Sequence, residues 1–75
     1  MKELALFVVK KLVDKPESVS VDEIQDGDVA VLKLVVDESD KGKVIGKQGK
    51  VIKAIRSVIG AAAAKIGRRV DVEID

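Results

Sequence analysis

The residues best suited to chemistry lie in one short run, Gly46-Lys47-Gln48-Gly49, where two glycines flank a cation and an amide. Glycine has no Cβ, so the backbone can turn sharply and a partner backbone can come close. Lys47, Gln48 and the following Lys50 supply positive charge, an amide and the free N–H groups of a helix N-terminus, all of which suit anions. The run therefore predicts a phosphate-contacting turn.

Catalytic motifs fit the chain poorly. It has no cysteine and no histidine, so thiolate and imidazole metal sites and the commonest general base are absent. A P-loop needs four residues between its first glycine and the Gly-Lys pair, and then Ser or Thr. Here only three residues separate Gly42 from Gly46, and Gln48 follows Lys47. We therefore expect no enzyme activity, no cofactor and no metal site.

Charge is unevenly distributed along the chain. The formal net charge is only +1, yet the segment from Lys41 to Arg56 has no Asp or Glu and carries +6, which leaves −5 for the rest. Its basic residues are Lys41, Lys43, Lys47, Lys50, Lys53 and Arg56. Such segregation favours one surface that faces a polyanion, and the alternative is a solvated lysine-rich helix face.

Length and composition predict a single soluble domain spanning residues 1–75. Of the residues, 47% are hydrophobic and 36% are charged, which is ordinary for a globular fold. The apolar run from Leu4 to Val9 is too short to span a bilayer, and a signal-peptide leader is lacking. We therefore expect a cytoplasmic protein with no membrane association.

Hydrophobic periodicity predicts an α+β fold of order α-β-β-α-α-β, with a three-stranded sheet covered on one face by three helices. Phe7 lies off the apolar stripe of the first helix, and we expect it to widen the buried side, the alternative being an exposed position at an interface. Ala30, Leu32, Leu34 and Val36 are expected to face the helices. The Asp26-Gly27-Asp28 segment predicts a hairpin turn. The expected helices are Lys2 to Asp14, Asp40 to Ile45 (capped by Ser39 or Asp40) and Lys50 to Ile66, and the expected strands are Ser18 to Gln25, Val29 to Asp37 and Arg69 to Asp75.

The run from Val44 to Ile52 matches the K-homology (KH) signature, in which an Ile-Gly-x-x-Gly turn joins two helices and an aliphatic residue follows three places on. The element order resembles the type II arrangement of prokaryotes. The chain length, the helix end at Leu12 to Pro16 and the alanine-rich second helix together resemble the small bacterial stand-alone KH proteins regarded as RNA chaperones.

This resemblance implies a site for single-stranded RNA. In KH domains the turn clamps the backbone of about four nucleotides, and the bases lie in an apolar groove. The implied clamp consists of Gly46, Lys47, Gln48 and Gly49. The implied groove residues are Val44, Ile45 and Ile52, and the implied positive track is Lys43, Lys50, Lys53 and Arg56. Core packing is the alternative for the aliphatic residues, and a solvated helix face is the alternative for Lys53 and Arg56.

The implied partners are single-stranded RNA and a second KH domain, in a homodimer or in a complex with a larger KH-containing protein. A small-molecule substrate is not expected. The implied role is that of an RNA chaperone or post-transcriptional regulator. Two alternatives remain open, namely a protein-interaction scaffold of KH shape and a single-stranded DNA-binding protein. Lys47 and Lys50, which have no acidic neighbour in the turn, argue against the scaffold.

Overall fold

The structure is a computed structural model that describes residues 1–75. Its helices are α1 (Lys2–Leu12), α2 (Lys41–Ile45) and α3 (Lys50–Lys65), and its strands are β1 (Ser20–Asp26), β2 (Val29–Val35) and β3 (Arg69–Ile74). Short 3₁₀ turns lie at Pro16–Ser18, Glu38–Asp40 and Lys47–Gly49. The predicted α-β-β-α-α-β order is therefore confirmed, as is the type II KH arrangement. No helix combines the length and the apolar character needed to cross a membrane.

The sheet has β2 at its centre, antiparallel to β1 and parallel to β3. Asp26 pairs with Val29, so the hairpin loop contains only Gly27 and Asp28. Gly27 has a φ of +60°, which glycine adopts at little cost and which the first position of a tight hairpin turn requires. The parallel pairing of β2 with β3 needs a long crossover, and α2, the 47–49 turn and α3 supply it.

The core lies between one face of the sheet and the helices. The prediction for the inner face of the second strand is confirmed, because Ala30, Leu32 and Leu34 of β2 and the following Val36 are all buried. The buried positions of α3 recur every three or four residues, as an amphipathic helix requires. The hydrophobic residues that complete the core are Ala5, Val9, Val21, Val44, Ile52, Ile55, Ile59, Ala63 and Val72.

The favoured prediction that Phe7 widens the buried side of α1 was wrong, and the residue is exposed, as the alternative had it. Its side chain is 62% exposed, and Lys11 Nζ lies 5.3 Å from the ring centroid. Ala5 and Val9 form the buried side of α1. Phe7 is two residues from each of them, and in a helix of 3.6 residues per turn it therefore points to the opposite side. The sheet is too narrow to cover a second side of α1, so the only aromatic residue faces solvent.

Three further apolar residues of the predicted helical stripes are less buried than expected. Leu12, Val58 and Ile66 are 40%, 52% and 60% exposed. Val58 precedes the fully buried Ile59 by one position and so lies about 100° around α3, on a flank that no other element covers. Leu12 and Ile66 lie at helix ends, where the helix leaves the sheet.

A buried carboxylate joins the end of α1 to the start of α2. Asp40 is 1% exposed, and its two carboxylate oxygens accept hydrogen bonds from the backbone N–H groups of Asp14 and Lys15, each at 3.1 Å. The expected cap on α2 from Ser39 or Asp40 is not formed. Asp37 caps the preceding turn instead, by accepting from the Ser39 N–H at 3.0 Å.

Replacing Asp40 with Asn should destabilise the fold by about 1–3 kcal/mol, because one backbone N–H loses a charged acceptor while it remains partly buried. Urea unfolding followed by circular dichroism measures this cost. Glu38→Gln serves as the control, since its side chain is exposed and forms only a surface ion pair with Lys41. Equal stability of the parent and D40N would show that this carboxylate does not hold α1 to α2.

Candidate nucleic-acid interface

The segment between α2 and α3 is a tight turn built from unusual backbone angles. Gly46 ends α2 with φ 77° and ψ 170°, a region that is essentially limited to glycine. Gln48 (φ 57°, ψ 26°) and Gly49 (φ 75°, ψ 15°) are both left-handed, as in the centre of a type I′ turn. The Gly49 N–H donates to the Gly46 carbonyl at 3.1 Å. The turn therefore has a defined shape, and Lys47 and Gln48 are exposed at its tip.

The two glycines are needed for different reasons. A Cβ on Gly46 would lie 2.4 Å from Val51 Cγ2 and 2.8 Å from the Val51 backbone nitrogen, so the first turn of α3 packs directly against the Gly46 backbone. A Cβ on Gly49 would meet only Ile52 Cγ2, at 3.9 Å. Gly46 is therefore required by packing and conformation together, and Gly49 by its positive φ alone.

The flanking aliphatic residues divide between the core and the surface. Val44 is fully buried and Ile52 is 6% exposed, and both belong to the core between helices and sheet. Ile45 is 37% exposed and is the only one of the three that offers appreciable apolar surface. Val44 and Ile52 thus anchor the two helix ends that flank the turn.

The structure divides the predicted basic residues into paired and unpaired groups. Lys41 Nζ lies 3.3 Å from a Glu38 carboxylate oxygen. Lys43 forms an ion pair with Asp14 and has an Asp40 oxygen 4.0 Å away. The remaining cations of the segment have no acidic partner within ion-pair distance: Lys47, Lys50, Lys53 and Arg56.

The Lys43 ion pair could not be read from the sequence. Its partner Asp14 is 29 positions away, at the end of α1, and only the packing of α1 beside α2 brings the two groups together. The hydrogen bond with the Asp14 carboxylate raises the pKa of Lys43 above its usual 10.5. While the Asp14 carboxylate is ionised, the contribution of the charged lysine to stability is fully present up to pH 10.5, and it is lost as pH rises through the folded-state pKa.

Arg56 shows which side of α3 the unpaired cations occupy. Its Nε donates a hydrogen bond to the Val72 carbonyl of β3 at 2.9 Å. Lys53 precedes Arg56 by three residues and so lies on the same side of the helix. Lys53 and Arg56 therefore lie on the side of α3 that borders β3, where the strand partly holds Arg56. Lys50 precedes Arg56 by six residues and so lies about 120° around the helix from it.

Comparison with known proteins places this arrangement in a family. Residues 2–74 match the family described as KhpA/KhpB, KH domain. The chain belongs to this family. The RNA-binding protein KhpA of Clostridium perfringens is 53% identical over 99% of both chains. The protein of the same name from Borreliella burgdorferi is 47% identical over 96% of this chain and 88% of its own.

The KH fold also resembles part of a larger protein. A crystal structure of Era in complex with MgGDPNP and nucleotides 1506–1542 of 16S ribosomal RNA aligns with 97% of this chain, at a TM-score of 0.70 and 26% identity. Aquifex aeolicus Era bound to GDP·AlF4− aligns at a TM-score of 0.67 and 28% identity. The chain spans 28% of the length of each Era chain.

We expect Gly46→Ala to cost about 3 kcal/mol or more of folding stability, because it combines a glycine-only conformation with overpacking against Val51. Gly49→Ala should cost about 1–2 kcal/mol, the usual penalty for a left-handed residue. Urea unfolding of both variants measures the difference. Equal costs would show that close packing at Gly46 does not hold the turn.

Proposed function

We propose that this protein binds single-stranded RNA by clamping the phosphate backbone with the turn Gly46-Lys47-Gln48-Gly49. The family supports RNA as the ligand, since full-length relatives at 47–53% identity are RNA-binding proteins by name. The geometry of the turn supports the mode of binding. The observation that carries the proposal is a closely packed turn with an exposed lysine at its tip and no acidic side chain in its segment.

The proposed clamp works through backbone and charge together. Gly46 and Gly49 leave no side chain between the turn and an approaching strand. The N–H groups at the start of α3 and the ammonium group of Lys47 attract the phosphates. Lys50 and Lys53 then continue the positive surface along α3, so successive phosphates meet successive cations.

The same side chains predict modest affinity. Base stacking on an aromatic ring is worth about 1–3 kcal/mol per base, but Phe7 faces solvent on the outward side of α1 and is the only aromatic residue. Exposed apolar surface at the turn is limited to Ile45. We therefore expect dissociation constants near the non-specific range of roughly 10⁻⁴ to 10⁻⁶ M, with loose sequence preference.

This weak, general binding favours a role as an RNA chaperone or post-transcriptional regulator, which must release its RNA readily. A second KH domain, in a homodimer or in a larger KH-containing partner, would raise the effective concentration of the clamp and so the overall affinity. Single-stranded DNA would meet the same charges. The 2′-hydroxyl is the group that distinguishes the two ligands.

The clamp is tested by Lys47→Asp combined with Gln48→Asp, in a titration of single-stranded RNA over a series of salt concentrations. In the parent, log affinity should fall with log salt by about 0.7 for each phosphate neutralised. The double variant should lose most of its affinity and show a shallower slope, because the turn then repels phosphate. Matched DNA and RNA oligonucleotides in the same assay separate the two ligands.

Lys2→Asp combined with Gln25→Asp is the matched control. It makes the same change in net charge, but at the start of α1 and in β1, away from the turn. This control should bind RNA nearly as well as the parent. A folded clamp variant that binds as tightly as the parent would refute the assignment of the turn.

Asp14→Asn should raise RNA affinity, because it removes the closer of the two acidic partners of Lys43 and one negative charge beside the turn, which leaves only the Asp40 oxygen at 4.0 Å. We expect the salt slope to steepen by about 0.7, the contribution of one additional phosphate contact. Glu17→Gln is the control, since it removes an exposed acid that has no cationic partner. An unchanged slope for D14N would place Lys43 outside the RNA track.

A further inference from the structure

The two edges of the sheet differ in how their backbone groups are satisfied. β3 forms one edge and β1 forms the other. In the middle of β3, the Val72 N–H donates to a carboxylate oxygen of Asp71 at 3.0 Å, and the Val72 carbonyl accepts from Arg56 Nε at 2.9 Å. Side chains therefore occupy both backbone groups at the centre of the β3 edge. No side chain forms a hydrogen bond with the backbone of β1.

The register of the hairpin shows which groups of β1 point outward. Asp26 and Val29 flank the two-residue turn and so form a hydrogen-bonded pair, and such pairs recur at every second residue of an antiparallel ladder. The backbone groups of Glu23 and Gln25, at the intervening positions, therefore point away from the sheet. Residues 22–26 are all exposed, and they pair with β2 one to one without a bulge. They form an open edge that can accept a further strand.

This open edge lies in the most acidic part of the chain. Residues 17–28 contain no lysine or arginine, and their five acidic residues are Glu17, Asp22, Glu23, Asp26 and Asp28. A single ion pair engages one of them, between Glu23 and Arg68 at 3.6 Å. Side chains alternate along a strand, so Ile24, which is 49% exposed, lies between Asp22 and Asp26 on the outer sheet face. The open edge thus presents an acidic, an apolar and an acidic side chain in order.

The charges decide which partner fits this edge. RNA is repelled by the carboxylates. A second copy of the chain, paired along the same edge, would bring like charges opposite one another, which destabilises a strand pair. A basic segment would instead place a cation beside each aspartate. In strand addition, backbone hydrogen bonds supply affinity and alternate side chains supply specificity.

We propose that the β1 edge binds an extended basic segment of a partner protein as a fourth, antiparallel strand of the sheet. The segment carries lysine or arginine opposite Asp22 and Asp26, and a β-branched apolar residue opposite Ile24. This inference is independent of the proposed RNA binding. The site lies on the opposite edge of the sheet from β3 and Arg56, so RNA and the segment bind at separate places.

The probe is a peptide with capped ends, Thr-Lys-Thr-Val-Thr-Lys-Thr, followed in an NMR titration. The amide resonances of Glu23 and Gln25 should shift most, and their hydrogen exchange should slow, because these N–H groups gain acceptors. Resonances of residues 46–50 should not move. A control peptide carries N-methyl groups on the two threonines that flank valine. It keeps the charge but lacks the donors that face β1 in an antiparallel pair, so it should not bind.

Reversing the charges of the edge tests the pairing of side chains. Asp22→Lys combined with Asp26→Lys should weaken binding of the lysine peptide roughly tenfold or more, since two favourable cross-strand pairs become repulsive. This variant should prefer a peptide in which glutamate replaces both lysines. Glu3→Lys combined with Glu38→Lys is the matched control, because it makes the same change in net charge at two exposed positions outside β1. The control should bind the lysine peptide as the parent does.

Four results would overturn the inference. In the first, the lysine peptide leaves Glu23 and Gln25 of the parent unaffected. In the second, the N-methylated peptide binds as tightly as the unmodified one, which would show charge attraction without strand addition. In the third, the folded charge-reversal variant still prefers the lysine peptide. In the fourth, β1 resonances shift with RNA or with protein concentration alone, which would assign the edge to nucleic acid or to a second copy.

The clamp variant separates this inference from the proposed RNA binding. Lys47→Asp combined with Gln48→Asp alters only the turn between α2 and α3, so this variant should bind the lysine peptide as the parent does. Loss of peptide binding in the folded clamp variant would place the peptide at the turn and overturn the inference.

Discussion

The close contact between the Gly46 backbone and Val51 is the constraint on which the candidate site depends. No side chain fits at Gly46, since a Cβ would lie within 2.4 Å of Val51 Cγ2. This contact joins the end of α2 to the first turn of α3, while Val44 and Ile52 on either side are buried in the core. The direction of the turn is therefore set by the same packing that stabilises the fold. A clamp fixed in this way loses little conformational entropy when it binds.

The ion pairs around the turn decide on which side of it free positive charge remains. Ion pairs with Glu38 and Asp14 engage Lys41 and Lys43 at the α2 side of the turn. The cations without acidic partners lie at the tip and on α3: Lys47, Lys50, Lys53 and Arg56. The positive surface thus begins at the turn and extends along α3 to Arg56, which contacts β3. A polyanion would therefore meet its unpaired cations at the turn and on α3 rather than on α2.

Much of the fold could be predicted because local patterns and tertiary packing agree. The alternation of Ala30, Leu32, Leu34 and Val36 defines a strand with one buried face, and the core adopts it. The glycines of the turn were likewise predictable, because their conformations are set over a few neighbouring residues. The structure of these elements could therefore be predicted from short stretches of sequence.

The errors arise where exposure depends on the number of elements that cover a helix. Phe7 and Val58 are apolar residues on sides of α1 and α3 that remain exposed after the helices have packed on the sheet and on one another. The Lys43 ion pair with Asp14 and the Asp40 hydrogen bonds to the end of α1 join residues that are distant in sequence. No local pattern indicates such contacts. They alter the predicted row of RNA-facing cations, because Lys43 is engaged in an ion pair.

The most direct test of RNA binding through the turn is an NMR titration of the amide resonances with single-stranded RNA. The largest shift changes should occur at residues 46–50, with smaller changes at Lys53 and Arg56 of α3. Resonances of Phe7 and of the outer sheet face around Lys33 should move little. Shift changes concentrated on the outer sheet face, with the turn unaffected, would contradict the account.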